Sequence, residues 1–216
     1  MPYVSRWLKI VTHPAVMLAY FVVIVWAYLF VDQPLATHMH ALALKTHYPI
    51  LVWITQLGRT IPYLLLLPLV ALFFRYVKRS KDLELRLWFL WTTIAITSGI
   101  CFFIKIVLGR ARPDLLFDQH VFGFHGYSLA SLYHSFPSGH TNFVTTAVLS
   151  LTLLFPKQRW IFLLLGGMIL ATRILLTYHY LSDVLATMLL VMLEYKLLLY
   201  LVARECPLFW ARLRVI

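Results

Sequence analysis

Apolar positions in this chain run in long unbroken stretches rather than in alternation, and the polar residues collect between them. A helix needs about 20 predominantly apolar residues to cross the hydrocarbon core of a bilayer. That measure predicts spans at 14–31, 61–76, 87–107, 142–155, 160–176 and 180–203. The second is blurred at its start, where 51–57 is apolar but Gly58 and Arg59 interrupt it, and Pro62 and Pro68 allow kinks. No small-residue cleavage site follows the first run, which reads as an uncleaved anchor rather than a signal peptide. Residues 32–49, mixed polar with three His, read as an interfacial segment, and the longest polar stretch is 108–140. The pattern predicts an all-α polytopic membrane protein, a bundle of about six transmembrane helices forming a single domain over 1–216.

Composition sharpens this. Of 216 residues, 62% are hydrophobic and 12% charged, where a soluble domain carries about a quarter charged. A disordered chain, a soluble α/β enzyme and a disulfide-stapled secreted domain are excluded. Cys101, inside an apolar run, and Cys206, in the tail, read as free thiols. The formal charge of +11 would point to nucleic acid in a soluble protein. In a membrane chain it reflects loops facing anionic lipid, so no nucleic-acid partner is expected.

Six spans put both termini on one side, and the positive-inside rule makes that side cytoplasmic. Arg6 and Lys9, the five cations of 75–86, Lys157 and Arg159, and the tail's Arg204, Arg212 and Arg214 all fall there. Lys45, Arg59, Lys105, Arg110, Arg112 and Arg173 are left on the outer face, against the bias. Those out-of-place charges call for a function.

Three short segments converge on that face. Lys105 precedes Arg112-Pro113 by seven residues at the exit of the third span. Pro137-Ser138-Gly139-His140 opens the fourth, and Thr172-Arg173, His179 and Asp183 bracket the turn between the fifth and sixth. Lys105, Arg112 and Arg173 offer positive charge, and guanidiniums grip phosphate bidentately. Ser138 is a good N-cap, and Gly139 lets an anion approach the amides of a helix N-terminus. His179 and Asp183 stand four apart on one helical face, so the carboxylate can orient the imidazole and leave its other nitrogen free to attack. His140 is placed to protonate a leaving oxygen. Taken singly, each piece has a plainer reading: a snorkelling Arg, a helix cap, an acid complementing a helix dipole. Their joint occurrence on one face favours an anion site with acid–base equipment.

The three segments resemble the signature of the type 2 phosphatidic acid phosphatase family of integral membrane lipid phosphatases: Lys-x6-Arg-Pro, Pro-Ser-Gly-His and Ser-Arg-x5-His-x3-Asp. The one departure is Thr172 in place of Ser, which keeps a hydroxyl. The resemblance implies a metal-independent, cofactor-free phosphatase working through a phosphohistidine. His179 is then the nucleophile, Asp183 its orienting partner and His140 the general acid and base. Lys105, Arg112, Ser138, Gly139 and Arg173 bind the phosphoryl oxygens. It further implies a lipid phosphate substrate: undecaprenyl pyrophosphate, phosphatidylglycerophosphate, phosphatidic acid or a lipid A phosphate.

The expected place is a cell membrane, read as a bacterial inner membrane with the site facing the periplasm; the oligomeric state is not legible. Two rivals are a lipid phosphotransferase with the same site and an anion transporter, the latter disfavoured because only the last span carries mid-membrane charge. His120, His125 and His134 lack the accompanying carboxylate or Cys spacing of a metal site. Asp114 and Asp118 read as loop solvation. Arg110 is open between phosphate binding and contact with lipid headgroups, and Glu194 has no assigned partner. The tract 114–135, with Phe117, Phe122, Phe124 and Tyr127, is expected to set headgroup selectivity.

Overall fold

In the computed structural model, which describes residues 10–11 and 13–207, the chain is helical, its helices joined by short turns except for the long loop between Gln119 and Gly139, with no β-strand among the described residues. Arg6, Lys9, Arg212 and Arg214 lie outside the described residues. The helices are α1 (Pro14–Ala41), α2 (Leu44–His47), α3 (Pro49–Gln56), α4 (Thr60–Tyr76), α5 (Lys81–Leu108), α6 (Pro113–Gln119), α7 (Gly139–Leu154), α8 (Arg159–Leu175) and α9 (Leu181–Glu205).

Length and composition qualify four of these to cross a bilayer: α1, α5, α8 with the turn before it, and α9. Helices α3 and α4, bent by 45° where Gly58 and Arg59 break the run, make a fifth when taken as one span. The sixth expected span is α7, a helix of only sixteen residues, so these criteria do not reproduce a count of six. The expected interfacial segment is also revised. Helix α1 continues through Ala41, and Asp32 is buried rather than interfacial. A π-turn at Ala27–Val31 makes this possible, its end marked by the Asp32 amide bonding back to Ala27. Five residues subtend about 140° in a regular α-helix; the wider turn lets Ala27 and Asp32 both face the bundle.

Helix α7 is the hub. Phe89, Leu90 and Ile94 of α5, Phe143, Val144, Leu153 and Leu154 of α7, and Tyr195 and Leu199 of α9 form one buried cluster. Beside it runs a polar seam, with Thr93 3.1 Å from Ser150 and Thr97 3.0 Å from Thr146. Small hydroxyl residues let helices approach closely and bond across the contact. At the charged end, Arg86 donates to the Leu154 carbonyl at 3.0 Å and caps α7. The opposite end of the bundle carries the motif segments.

There α5 stops at Gly109, whose left-handed backbone (φ 50°) ends the helix. A Cβ at this position would lie 1.8 Å from the Gly126 carbonyl oxygen, so only glycine lets the 123–128 loop pass so close. Backbone bonds then zip the first motif to that loop: Ala111 N to Gly123 O at 2.9 Å, Arg112 N to Leu132 O at 2.9 Å, and Ser135 N to Arg110 O at 3.0 Å.

Candidate active site

Lys105, in the last turn of α5, donates to the His134 carbonyl at 3.1 Å. Arg112 is half-buried and donates through Nε to the Ser131 carbonyl at 2.9 Å. Each cation is thus anchored to the loop between α6 and α7. Arg173, near the end of α8, is buried and donates to Thr55 Oγ1 of α3 at 2.6 Å, with its guanidinium over the Tyr178 ring. The blurred start of the second span thereby acquires a role, since α3 holds Arg173 in place.

Ser138 caps α7, its Oγ accepting from the Thr141 amide at 3.3 Å. Its own amide is taken by Thr187 Oγ1 at 2.9 Å. A Cβ built on Gly139 meets nothing within 4 Å, so the helix N-terminus is open at Gly139, while the His140 ring lies close to Gly58. Arg173, Arg59, Lys105 and Arg112 all lie within electrostatic reach of His140. All eight residues singled out by the motifs come together at this end of the bundle. Arg59, not among them, joins the rim.

His179 sits in the turn between α8 and α9, 3% exposed. Its Nδ1 lies 2.7 Å from the Ser135 carbonyl oxygen and 3.7 Å from Asp183 Oδ2. The second distance is too long for a hydrogen bond. A carbonyl oxygen only accepts, so Nδ1 carries the proton and Nε2 keeps its lone pair. The orienting partner expected from the i, i+4 spacing was Asp183; the structure gives that contact to Ser135, with Asp183 behind. Burial is the main cause that pushes the His179 imidazole down to about 3, with Arg173 and Arg112 adding to it and Asp183 opposing it. The ring is neutral at ordinary pH.

Asp183 is fully buried, its Oδ2 accepting from Ser135 Oγ at 2.6 Å and the Tyr180 amide at 3.0 Å. Its Oδ1 accepts from Arg110 at 2.6 Å. Arg110 therefore meets neither of its expected partners, phosphate or headgroups. Burial opposes its charge, but Asp183 and Asp32 outweigh that and raise its pKa further. Phe122 and Phe124 pack around this guanidinium, and Phe117 stacks on His40 at 4.0 Å. Of the aromatics expected to read the headgroup, Tyr127 is free of such packing and 73% exposed.

His134 Nε2 lies 2.9 Å from the Ser128 carbonyl and His125 packs edge-on to Tyr133. Among the described residues no three His, Cys, Asp or Glu cluster in a metal-holding arrangement. Both Glu194 carboxylate oxygens are buried without a hydrogen-bond partner among the described residues. Asp32, Thr55, Ser135, Ser182 and Thr187 were missed from sequence. Only Asp32 carried a signal there, an acid directly abutting an apolar run.

A family model described as "PAP2 superfamily" matches residues 86–206, more than half of the chain. Over 98 residues the chain is 36% identical to proteins named lipid A 1-phosphatase from Rhizobium etli and Rhizobium johnstonii. The match covers 45% of this chain and 42% and 40% of those relatives, so the chain spans less than half of their length. A crystal structure of a transmembrane PAP2 type phosphatidylglycerolphosphate phosphatase from Bacillus subtilis aligns over 90% of each chain, at 20% identity and a TM-score of 0.39.

Proposed function

The chain belongs to the PAP2 superfamily, and from that premise we propose that it is a membrane lipid phosphatase acting through a phosphohistidine on His179. The observation that carries the reading is the Ser135 carbonyl on His179 Nδ1, which leaves Nε2 unprotonated on a ring within electrostatic reach of Arg173 and Arg112. Nε2 attacks the phosphorus, an N–P bond forms and the bond from phosphorus to the lipid oxygen breaks. The phosphate dianion, once bound, offsets the four cations around His140 and lets the ring carry a proton, which it gives to that departing oxygen. Water then attacks the phosphohistidine, His140 takes the proton, the N–P bond breaks and inorganic phosphate leaves. The three cations and the open N-terminus of α7 hold the equatorial oxygens, whose charge they stabilise.

Among the candidate substrates a lipid A type phosphate comes first in this reading, a choice supported by the 36% identity to proteins named lipid A 1-phosphatase. The lipid's tails stay in the bilayer while the phosphate enters the polar end of the bundle. That end faces away from the basic 75–86 loop, on the non-cytoplasmic side. In this reading the three cations hold the phosphate, and the reaction is proposed to need no divalent ion. Phosphate release by purified protein from a panel of lipid phosphates, in excess EDTA, tests the reading. Turnover that is lost in His179→Ala supports it; turnover that requires a divalent ion, or survives in His179→Ala, overturns it.

A further inference from the structure

Arg110 is one of the most enclosed side chains in the protein, 1% exposed, and its charge is shared between two acids. Nη1 donates to Asp183 Oδ1 at 2.6 Å and to Ser182 Oγ at 2.8 Å, and Nη2 to Asp32 Oδ2 at 2.7 Å. Asp32 in turn accepts from the Ser182 amide through Oδ1 at 2.9 Å and from the Ser182 hydroxyl through Oδ2. The rings of Tyr28, Phe122, Phe124 and Tyr180 pack around the guanidinium at 4.8–5.6 Å. Nη1 and Nη2 are spent on protein, Nε is buried without a hydrogen-bond partner among the described residues, and aromatic rings surround the guanidinium, so Arg110 presents no exposed surface to a phosphoryl group.

We propose that Asp32 and Arg110 are positioning residues, acting through Asp183 on His179, and that the first membrane helix thereby completes the active site. This rests on the phosphohistidine reading above. Asp32 lies outside the stretch matched to the family, 150 residues from its partner Ser182. The π-turn before Asp32 rotates it into the bundle, where such turns serve functional placement. Once there it fixes two things: the direction of the Arg110 fork and the N-terminus of α9, whose Ser182 amide it caps from another helix.

Stability does not explain the arrangement, because a buried ion triad is often no more stabilising than apolar residues of the same shape. Its yield is geometric. Asp183 has one oxygen held by Arg110 and the other by Ser135 and Tyr180, so the carboxylate cannot rotate. Ser135 in turn holds His179, and the nucleophile inherits the rigidity of the whole chain. Two carboxylates around one guanidinium also leave a net negative charge behind the ring, where the phosphorylated imidazole becomes cationic.

The test uses the purified full-length chain in detergent with a defined lipid phosphate. Asp32→Asn keeps the shape and removes the charge. A misplacement near 1 Å far from the chemistry costs up to about 100-fold, so kcat is expected to fall between about tenfold and 100-fold. KM and the inhibition constant for inorganic phosphate should stay within about twofold, because the phosphate ligands are untouched. Loss of pocket structure would instead weaken phosphate inhibition in step with kcat, and that result overturns the proposal. Should Asp32→Asn not fold, Ser182→Ala decides: it cuts the hydroxyl link with all three charges in place, and the same split of kcat from phosphate inhibition is expected. A wild-type enzyme alongside a fully active Asp32→Asn, or Ser182→Ala in its stead, overturns the positioning role alone. Wild-type protein that releases no phosphate overturns the phosphatase reading, and the proposal with it.

Discussion

Ser135 grips His179 and Asp183 at once: its carbonyl oxygen is 2.7 Å from the imidazole Nδ1, and its hydroxyl donates to the carboxylate at 2.6 Å. The two motif residues stand 3.7 Å apart without bonding each other. A loop residue outside the signature thus couples Asp183 to His179, the proposed nucleophile. In a serine-protease triad the orienting group fixes the tautomer, and neutralising it costs about 10⁴ in turnover. Here a backbone carbonyl fixes the tautomer, and no side-chain substitution at 135 removes a carbonyl. Ser135→Ala should therefore be milder than Asp183→Asn.

The division of labour between the two histidines is testable by single-turnover labelling with a radioactive lipid phosphate. His179→Ala should give no phosphoenzyme, since the attacking nitrogen is gone. His140→Ala should form the label slowly or trap it, since water is no longer activated. Label retained in His179→Ala and lost in His140→Ala would reverse the roles.

Burial of His179 also links folding to pH. The folded state holds the imidazole neutral down to about 3, while the unfolded chain takes up a proton below about 6.5. The unfolded state thus binds more protons across that window, and stability falls as pH falls, by about 1.4 kcal/mol per pH unit for this one group. Thermal unfolding in detergent from pH 7 to pH 4 should show a steeper decline for wild type than for His179→Asn. Parallel curves would mean the ring is charged in the folded protein.

The all-helical membrane pattern and the three motifs were legible because each is local: a run of apolar residues, a fixed spacing, a Ser before a helix. Gly58-Arg59 even marked the 45° break between α3 and α4. What stayed hidden depends on register or on distant partners. The role of Asp32 requires a π-turn and a contact 150 residues away. Thr55 meets Arg173 across 118 residues. Arg110 looked like one more outer cation because its spacing from Arg112 says nothing about which of the two points inward.

Gly109 and Gly126 give a paired stability test. Gly109→Ala places a Cβ 1.8 Å from a backbone oxygen on a left-handed residue. The conformation alone costs about 1–2 kcal/mol, and the clash must push the loop away from Arg112. Gly126→Ala also has positive φ, at 82°, but meets nothing within 4 Å. Gly109→Ala should lose both melting temperature and turnover, at roughly 2–4 °C per kcal/mol for a chain this size. Gly126→Ala should lose less of each. Equal effects would show that the close approach is not needed.

Sidedness can be read in intact cells. A cysteine at Ser131, exposed beside Arg112, should react with an impermeant maleimide. One at Ser80, in the basic loop before α5, should react only after lysis, because short loops with this many cations stay cytoplasmic. The opposite pattern would place the site in the cytoplasm and remove outer-leaflet lipids from its substrates.

The shortness of α7 sets a depth. Sixteen residues at 1.5 Å each give a rod about 24 Å long, against a hydrocarbon core about 30 Å thick. Its far end runs into Pro156, Lys157 and Arg159, which hold that end at the water boundary. On the proposed topology, the near end, bearing Ser138, Gly139 and His140, is expected about 6 Å beneath the opposite surface, as the floor of a well sunk into the leaflet. A phosphate joined directly to its lipid backbone drops onto that floor by settling a short way into the bilayer. A headgroup that extends beyond the phosphate must fold back up the shaft to leave the phosphorus in reach. On that topology, depth is expected to sort the lipids before any side chain inspects them.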